Sequence, residues 1–285
     1  MVPFGSWIIT PFNGVFIASF GFFIALLVIA SLLLRGKSER TKKIVLISAC
    51  VVTLVGFVFY KYFLSIDADY NVIIAEMGGF NWWGELPLQL CNINMILIPF
   101  AVLKKNRPMM CFCFFLGPLG AMMALFMPGN GFDGYSLLLP RMIGYYGTHY
   151  MIVIEGFAIV TFGLFRPKLK DLTKAVLTAL LIAFVIFCIN MLLRVTGLHE
   201  KANYFFAVET EGNPLLEIFH KILPFPFLYL IPCTLILVPY MLLITVPLEI
   251  ADRRKAKAGS AEESTETKAE AQEETSEEPA DEKNG

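Results

Sequence analysis

Gly84-Glu85-Leu86-Pro87-Leu88-Gln89-Leu90-Cys91-Asn92-Ile93-Asn94 opens a hydrophobic run that continues to Leu103. A helical span takes about 20 apolar residues, so this run is long enough to cross a bilayer. Yet Gln89, Cys91, Asn92 and Asn94 fall inside it. At about 100° per residue they spread around roughly two-thirds of a helix circumference. Lipid offers such groups no partner, so protein or water has to satisfy them. One reading is a central segment, enclosed by other helices and beside a polar cavity. The plainer one is that the amides join helices by hydrogen bonds.

The rest of the chain supports a membrane setting. Of its 285 residues, 56% are hydrophobic and 14% aromatic, and mean hydropathy is +0.65. A soluble globule is excluded by that composition. The net charge of -1 hides a division. Residues 260–285 hold ten acids and two bases, so the chain's 24 acids and 23 bases leave 14 and 21 for the remainder. The six cysteines all lie in or beside apolar segments, and Cys111-Phe-Cys113 lacks the spacing of a zinc site. The sequence calls for no cofactor, no metal and no nucleic acid.

The expected fold is all-α: a polytopic bundle of seven transmembrane helices near residues 12–34, 44–66, 84–103, 109–127, 141–165, 172–196 and 223–247. Residues 1–250 form the membrane domain. Residues 251–285, basic and then acidic, form a disordered tail without apolar periodicity. Loops 35–43, 104–107 and 166–174 and the segment after 250 are basic, whereas loop 67–83 has Asp67, Asp69 and Glu76 and no base. The positive-inside rule then puts the N-terminus outside and the C-terminus in the cytoplasm. Asn213-Pro214 marks the start of a short interfacial helix in loop 197–222. The expected location is the cell (plasma) membrane, specifically a bacterial cytoplasmic membrane, with membrane lipids as the surrounding partners.

Candidate chemistry gathers in the outer half. The fifth span carries Tyr145, His149 and, deeper, Glu155, and an ionisable residue inside a span is a site hypothesis. Cys91 lies seven residues past Gly84 and His149 eight past Arg141. In spans that run the same way, both sit about 10–12 Å below the outer boundary. A Cys with a His in reach is a nucleophile and base. Asn92 or Asn94 can stabilise an oxyanion, and Gln89, Tyr145, Glu155, Asn190 and Arg194 complete the polar set. Each residue has a plainer role too. Cys is a small hydrophobe in most membrane helices, His149 and Glu155 can bond neighbouring helices, and Arg141 and Arg194 can snorkel.

At these same residues the chain resembles a family. Leu86-Pro87-Leu88-Gln89-Leu90-Cys91 is similar to the Leu-Pro-Leu-His-Leu-Cys signature of YwaF-type integral membrane proteins of bacteria. Tyr145 to Ile154, with His149, resembles that family's aromatic–His segment. Asn203-Tyr204, Pro214-Leu215-Leu216 and Pro224-Phe225-Pro226-Phe227-Leu228-Tyr229 resemble its closing region. The resemblance covers roughly residues 15–247. It implies kinship to a vertebrate multispan acyltransferase that moves fatty acyl chains onto ether phospholipids with a catalytic Cys and His. By position, Cys91 is then the nucleophile and His149 the base, and the substrate is a phospholipid. The chain departs from the pattern in one place: Gln89 stands where the family has His. Two other classes remain, a small-solute or ion carrier lined by Gln89, Asn94, His149 and Glu155, and a seven-helix ligand sensor.

Overall fold

The computed structural model describes residues 7–75 and 78–254. Apart from one antiparallel pair, β1 (Ile8–Ile9) with β2 (Tyr135–Ser136), the regular elements are helical. They are α1 (Gly14–Leu33), α2 (Glu39–Ile66), α3 (Ala68–Ile74), α4 (Asn94–Leu103), α5 (Arg107–Phe126), α6 (Pro140–Thr161), α7 (Leu169–Val195) and α8 (Pro214–Ile222). The last, α9 (Leu228–Arg254), begins as a 3-10 turn through Cys233.

The helix starts follow from capping chemistry. Asn13, Ser38, Asn106 and Asn213 each lend a side-chain oxygen to an otherwise unpaired N–H of the first turn. Asp67 does the same for α3, accepting from Tyr70 N–H at 2.9 Å. The helix expected from Asn213-Pro214 is α8.

Five helices, α1, α2, α5, α7 and α9, are long and apolar enough to cross a membrane. The other two expected spans differ. α6 has the length, at 22 residues, but its Arg141, Tyr145, Tyr146, His149, Tyr150 and Glu155 make it polar. Of residues 84–103, only the ten of α4 are α-helical. Pro87 is the physical reason. It has no N–H to give and it disfavours helical backbone at Leu86, and the helical ladder resumes only where Ile93 N–H donates to Gln89 O at 3.0 Å. The tail also starts later than expected. α9 runs through Arg254, and the remaining tail residues, 255–285, lie outside the described residues.

α5 and α6 form the centre of the bundle. In the most apolar stretch of α5 61% of residues are buried, against 11% for α1, so α5 meets protein and α1 presents an apolar surface. Small residues let the helices close on one another. A Cβ on Gly144 of α6 would lie 2.3–2.6 Å from Tyr60 of α2, and one on Gly156 would lie 2.5 Å from Pro118 of α5.

The two ends differ in charge. At one end Lys105 reaches Glu39, Arg107 clamps Asp171 and Arg166 holds Asp252. At the other, Arg141 pairs with Asp67 at 2.8 Å and lies over the Tyr135 ring. Arg141 is thus a buried ion-pair partner, not the snorkelling residue its position suggests. These are the basic end and the loop end below.

Gly144→Ala is expected to lower stability by about 1–3 kcal/mol, because the added methyl overpacks Tyr60. Gly147→Ala has open space and should stabilise slightly, by roughly 0.5–1 kcal/mol, through helix propensity. Unfolding curves in detergent or bicelles compare the two. Equal effects would show that α2 and α6 are not in contact at Gly144.

Candidate functional site

The non-helical segment between Gly84 and Asn94 is held by a loop distant in sequence. Tyr204, in the 3-10 turn Tyr204–Phe206, accepts from Leu86 N–H at 3.0 Å and donates its hydroxyl to Trp83 O at 2.6 Å. Burial pushes its phenol above the ordinary range, so it keeps the proton it donates. Phe205 N–H donates to Gln89 Oε1 at 3.2 Å. Asn190 of α7 fixes the loop from behind. Its Nδ2 donates to Tyr204 O and its Oδ1 accepts from Tyr204 N–H, both at 2.9 Å. Arg194 adds a bond to Ala202 O and an ion pair with Glu209, both at 2.8 Å.

This arrangement turns Cys91 toward α6. Its Sγ is 3.7 Å from His149 Nε2 and 3.5 Å from Asn92 Oδ1, and all three residues are buried. His149 Nδ1 lies 2.7 Å from Tyr145 O, one turn earlier on α6. A carbonyl only accepts, so Nδ1 carries the hydrogen and Nε2 presents its lone pair to the thiol. Tyr145 is itself fixed: its hydroxyl donates to Ala124 O at 2.7 Å, and its ring stacks on Phe132 at 4.3 Å and lies 4.5 Å from the imidazole. Among the described residues no backbone carbonyl takes the N–H of Leu90, Cys91 or Asn92, and those of Cys91 and Asn92 lie against the Cys91 sulfur. Gly120 of α5 lets that helix lie close against this backbone, since its Cβ would come 3.3 Å from the Leu90 side chain and 3.4 Å from Cys91 N.

The candidate residues fall into separate groups. Cys91, Asn92, Tyr145 and His149 are together. Gln89, Asn190 and Arg194 hold the loop that clasps the segment. Asn94 is fully buried against Gly117, where a Cβ would come 1.6 Å from its Nδ2, and neither of its amide atoms has a partner among the described residues. Glu155 lies further along α6, with Oε1 2.5 Å from Thr53 Oγ1 and Oε2 without a partner. It is about 9 Å of helix rise from His149.

Two charged residues escaped the sequence reading. Lys61 of α2 is ion-paired with Glu85 and lies over the rings of Tyr60 and Phe57, at 4.6 and 5.1 Å. Lys61 is the sole charge within the expected span 44–66, which is the signal that could have found it.

Residues 8–245 match the TMEM164 family, and the chain belongs to that family. No curated protein and no solved structure is significantly similar to it. Family and apolar helices together make it a multi-pass membrane protein whose outer surfaces meet membrane lipid.

Asn190→Ala removes both bonds to Tyr204 and leaves a buried N–H and C=O unpaired. A loss of about 2–4 kcal/mol is expected, with new protease cleavage within residues 198–212. An unchanged melting temperature and cleavage pattern would show that the loop is not held through Asn190.

Proposed function

We propose that this protein is a lipid-modifying acyltransferase or hydrolase in which Cys91 is the nucleophile and His149 the base. The observation that carries the reading is the 3.7 Å approach of Sγ to a ring nitrogen whose partner nitrogen is committed to a backbone carbonyl. The thiol proton moves to His149 Nε2 as Sγ attacks an acyl ester. The S–C bond forms, the ester C–O bond breaks, and His149 returns its proton to the departing lysophospholipid oxygen. In the second half, a lipid hydroxyl or water attacks the thioester. Its proton passes to Nε2 and then to the departing sulfur. The N–H groups of Leu90, Cys91 and Asn92, which no backbone carbonyl takes, are the donors for the oxyanion, while Asn92 Oδ1 accepts from the thiol.

The YwaF-type resemblance of residues 86–91 and 145–154 agrees with this assignment. Gln89 departs from that family's His: an amide cannot exchange protons near neutral pH, and here its oxygen accepts from Phe205 N–H, so the reading rests on Cys91 and His149 alone. The topology we assign has seven crossings, counting the segment ending in α4 and counting α6. The loop end faces outward and the basic end faces the cytoplasm of a plasma membrane. An outward site has no supply of acyl-CoA, so a phospholipid is the acyl donor.

Cys91→Ser should keep the fold, because the side chains are nearly isosteric, and abolish acyl transfer from phospholipid donors. His149→Ala should reduce covalent labelling of Cys91 by a lipid-tailed thiol probe, and labelling should favour Cys91 over Cys50, Cys188 and Cys233. Full turnover by folded Cys91→Ser overturns the assignment. Topology is checked separately: a lone cysteine at position 105 should resist an impermeant thiol reagent added to intact cells, and labelling there would reverse the orientation.

A further inference from the structure

The basic end holds a cavity of about 370 Å³, lined by Glu39, Lys42, Lys105, Arg107, Met110 and Leu164 together with Gly163. That is within the roughly 300–1,000 Å³ of small-molecule sites. Three cations face one carboxylate there. Lys43 and Lys105 both pair with that carboxylate, Glu39, so it is already neutralised. Lys42 has no acidic partner among the described residues. It is half-buried, unlike its neighbour Arg40. Its Nζ lies 3.8 Å from where a Cβ on Gly163 would sit, so it leans across the cavity toward the end of α6.

Arg107 is held in place. Its Nε and Nη2 donate to the two oxygens of Asp171, at 3.2 and 2.5 Å, and Nη2 also donates to Arg166 O at 3.0 Å. Nη1 has no partner among the described residues. A fixed guanidinium whose Nη1 is free, beside two lysines, offers N–H donors and positive charge to the oxygens of a phosphate. The first turns of α2 and α5 meet the last turns of α4 and α6 here, so the helix dipoles offset one another and the positive field is that of the side chains. Met110 and Leu164 supply an apolar floor beneath the charges, as suits a phosphate joined to something greasy. A basic face alone serves orientation in the membrane. The half-open cavity, the inward lysine and the clamped arginine add a place for one ligand.

We propose that this cavity binds a phosphate-bearing ligand, an anionic phospholipid headgroup or a soluble phosphate of the same chemistry, at a site separate from Cys91 and His149. Phosphate affinity comes from Lys42, Lys105 and the free Nη1 of Arg107.

The test uses the full chain, purified in detergent, with dioctanoyl phosphatidic acid, dioctanoyl phosphatidylcholine and inorganic phosphate as probes, and native mass spectrometry as the count of bound lipid. One phosphatidic acid per chain should be retained in preference to phosphatidylcholine. Lys42→Ala with Lys105→Ala should weaken it by at least about tenfold, from the loss of two charge-assisted contacts. Arg40→Ala with Lys104→Ala removes the same charge from the same end, at residues that do not line the cavity, and should leave binding near its original value. Lys105 and Glu39 are both more than half exposed, so the first double variant should fold, and an unchanged melting temperature checks this. Displacement of phosphatidic acid by millimolar inorganic phosphate assigns the site to a soluble phosphate, and resistance assigns it to a lipid. Equal weakening by the two double variants, or equal retention of the two lipids, overturns the proposal.

Discussion

Backbone groups that leave a helix inside an apolar bundle have no water to turn to, and the chain between Gly84 and Asn94 does leave it. The structure depends on how those groups are supplied. Tyr204 serves both Leu86 N–H and Trp83 O with one hydroxyl, and Gln89 is met by Phe205 N–H. The clasp is in turn only as firm as Asn190, whose carboxamide matches the donor and acceptor of the Tyr204 backbone. A long loop that looks like a connector is thus part of the core. The groups left over, the N–H of Leu90, Cys91 and Asn92, lie beside the one thiol that faces an imidazole. Groups that no backbone carbonyl takes in the resting protein are available to a bound carbonyl, which is what the proposed chemistry asks of them.

Close packing of backbone against side chain does the rest. Gly117 admits Asn94 and Gly120 lets α5 lie close against Leu90 and Cys91, while Gly144 and Gly156 let α6 lie against Tyr60 and Pro118. α6 is therefore pressed between α2 and α5 with little freedom to slide. That fixes His149, whose ring is also tied to its own helix through Tyr145 O. An imidazole bonded to a carbonyl one turn back can swing less than a free one, and it keeps one tautomer. The positioning of the nitrogen facing Cys91 is thus a property of the α6 backbone.

Much of this could be read in the sequence because it is local. Asn213-Pro214 announces α8 by a cap that involves its own first turn, and the basic loops collect at one end. The depth match of Cys91 and His149 came from counting rise along two helices, and the two side chains do meet. What escaped is what depends on partners far along the chain. Pro87 hints at a break, but nothing near it tells that Tyr204 would satisfy the result. Arg141 looks like an interfacial arginine until Asp67, capping α3, is found beside it. Lys61 stands out as the lone charge of an apolar span, but its partner Glu85, in a segment distant in sequence, does not. Asn94 and Glu155 look like members of a single polar path, yet each is enclosed separately by small or apolar neighbours.

The distribution of burial bears on how a lipid would reach Cys91. α1, α7 and α9 keep most of their apolar stretch outside the core, so hydrocarbon surrounds the bundle on those sides. Cys91 and His149 are each 8% exposed, neither sealed nor open. The Phe132–Tyr145 stack packs against His149, and the Lys61–Glu85 pair lies over the Tyr60 and Phe57 rings. On the reading proposed above, a phospholipid would have to bring its ester, and neither its headgroup nor its chain end, to the depth of the buried thiol.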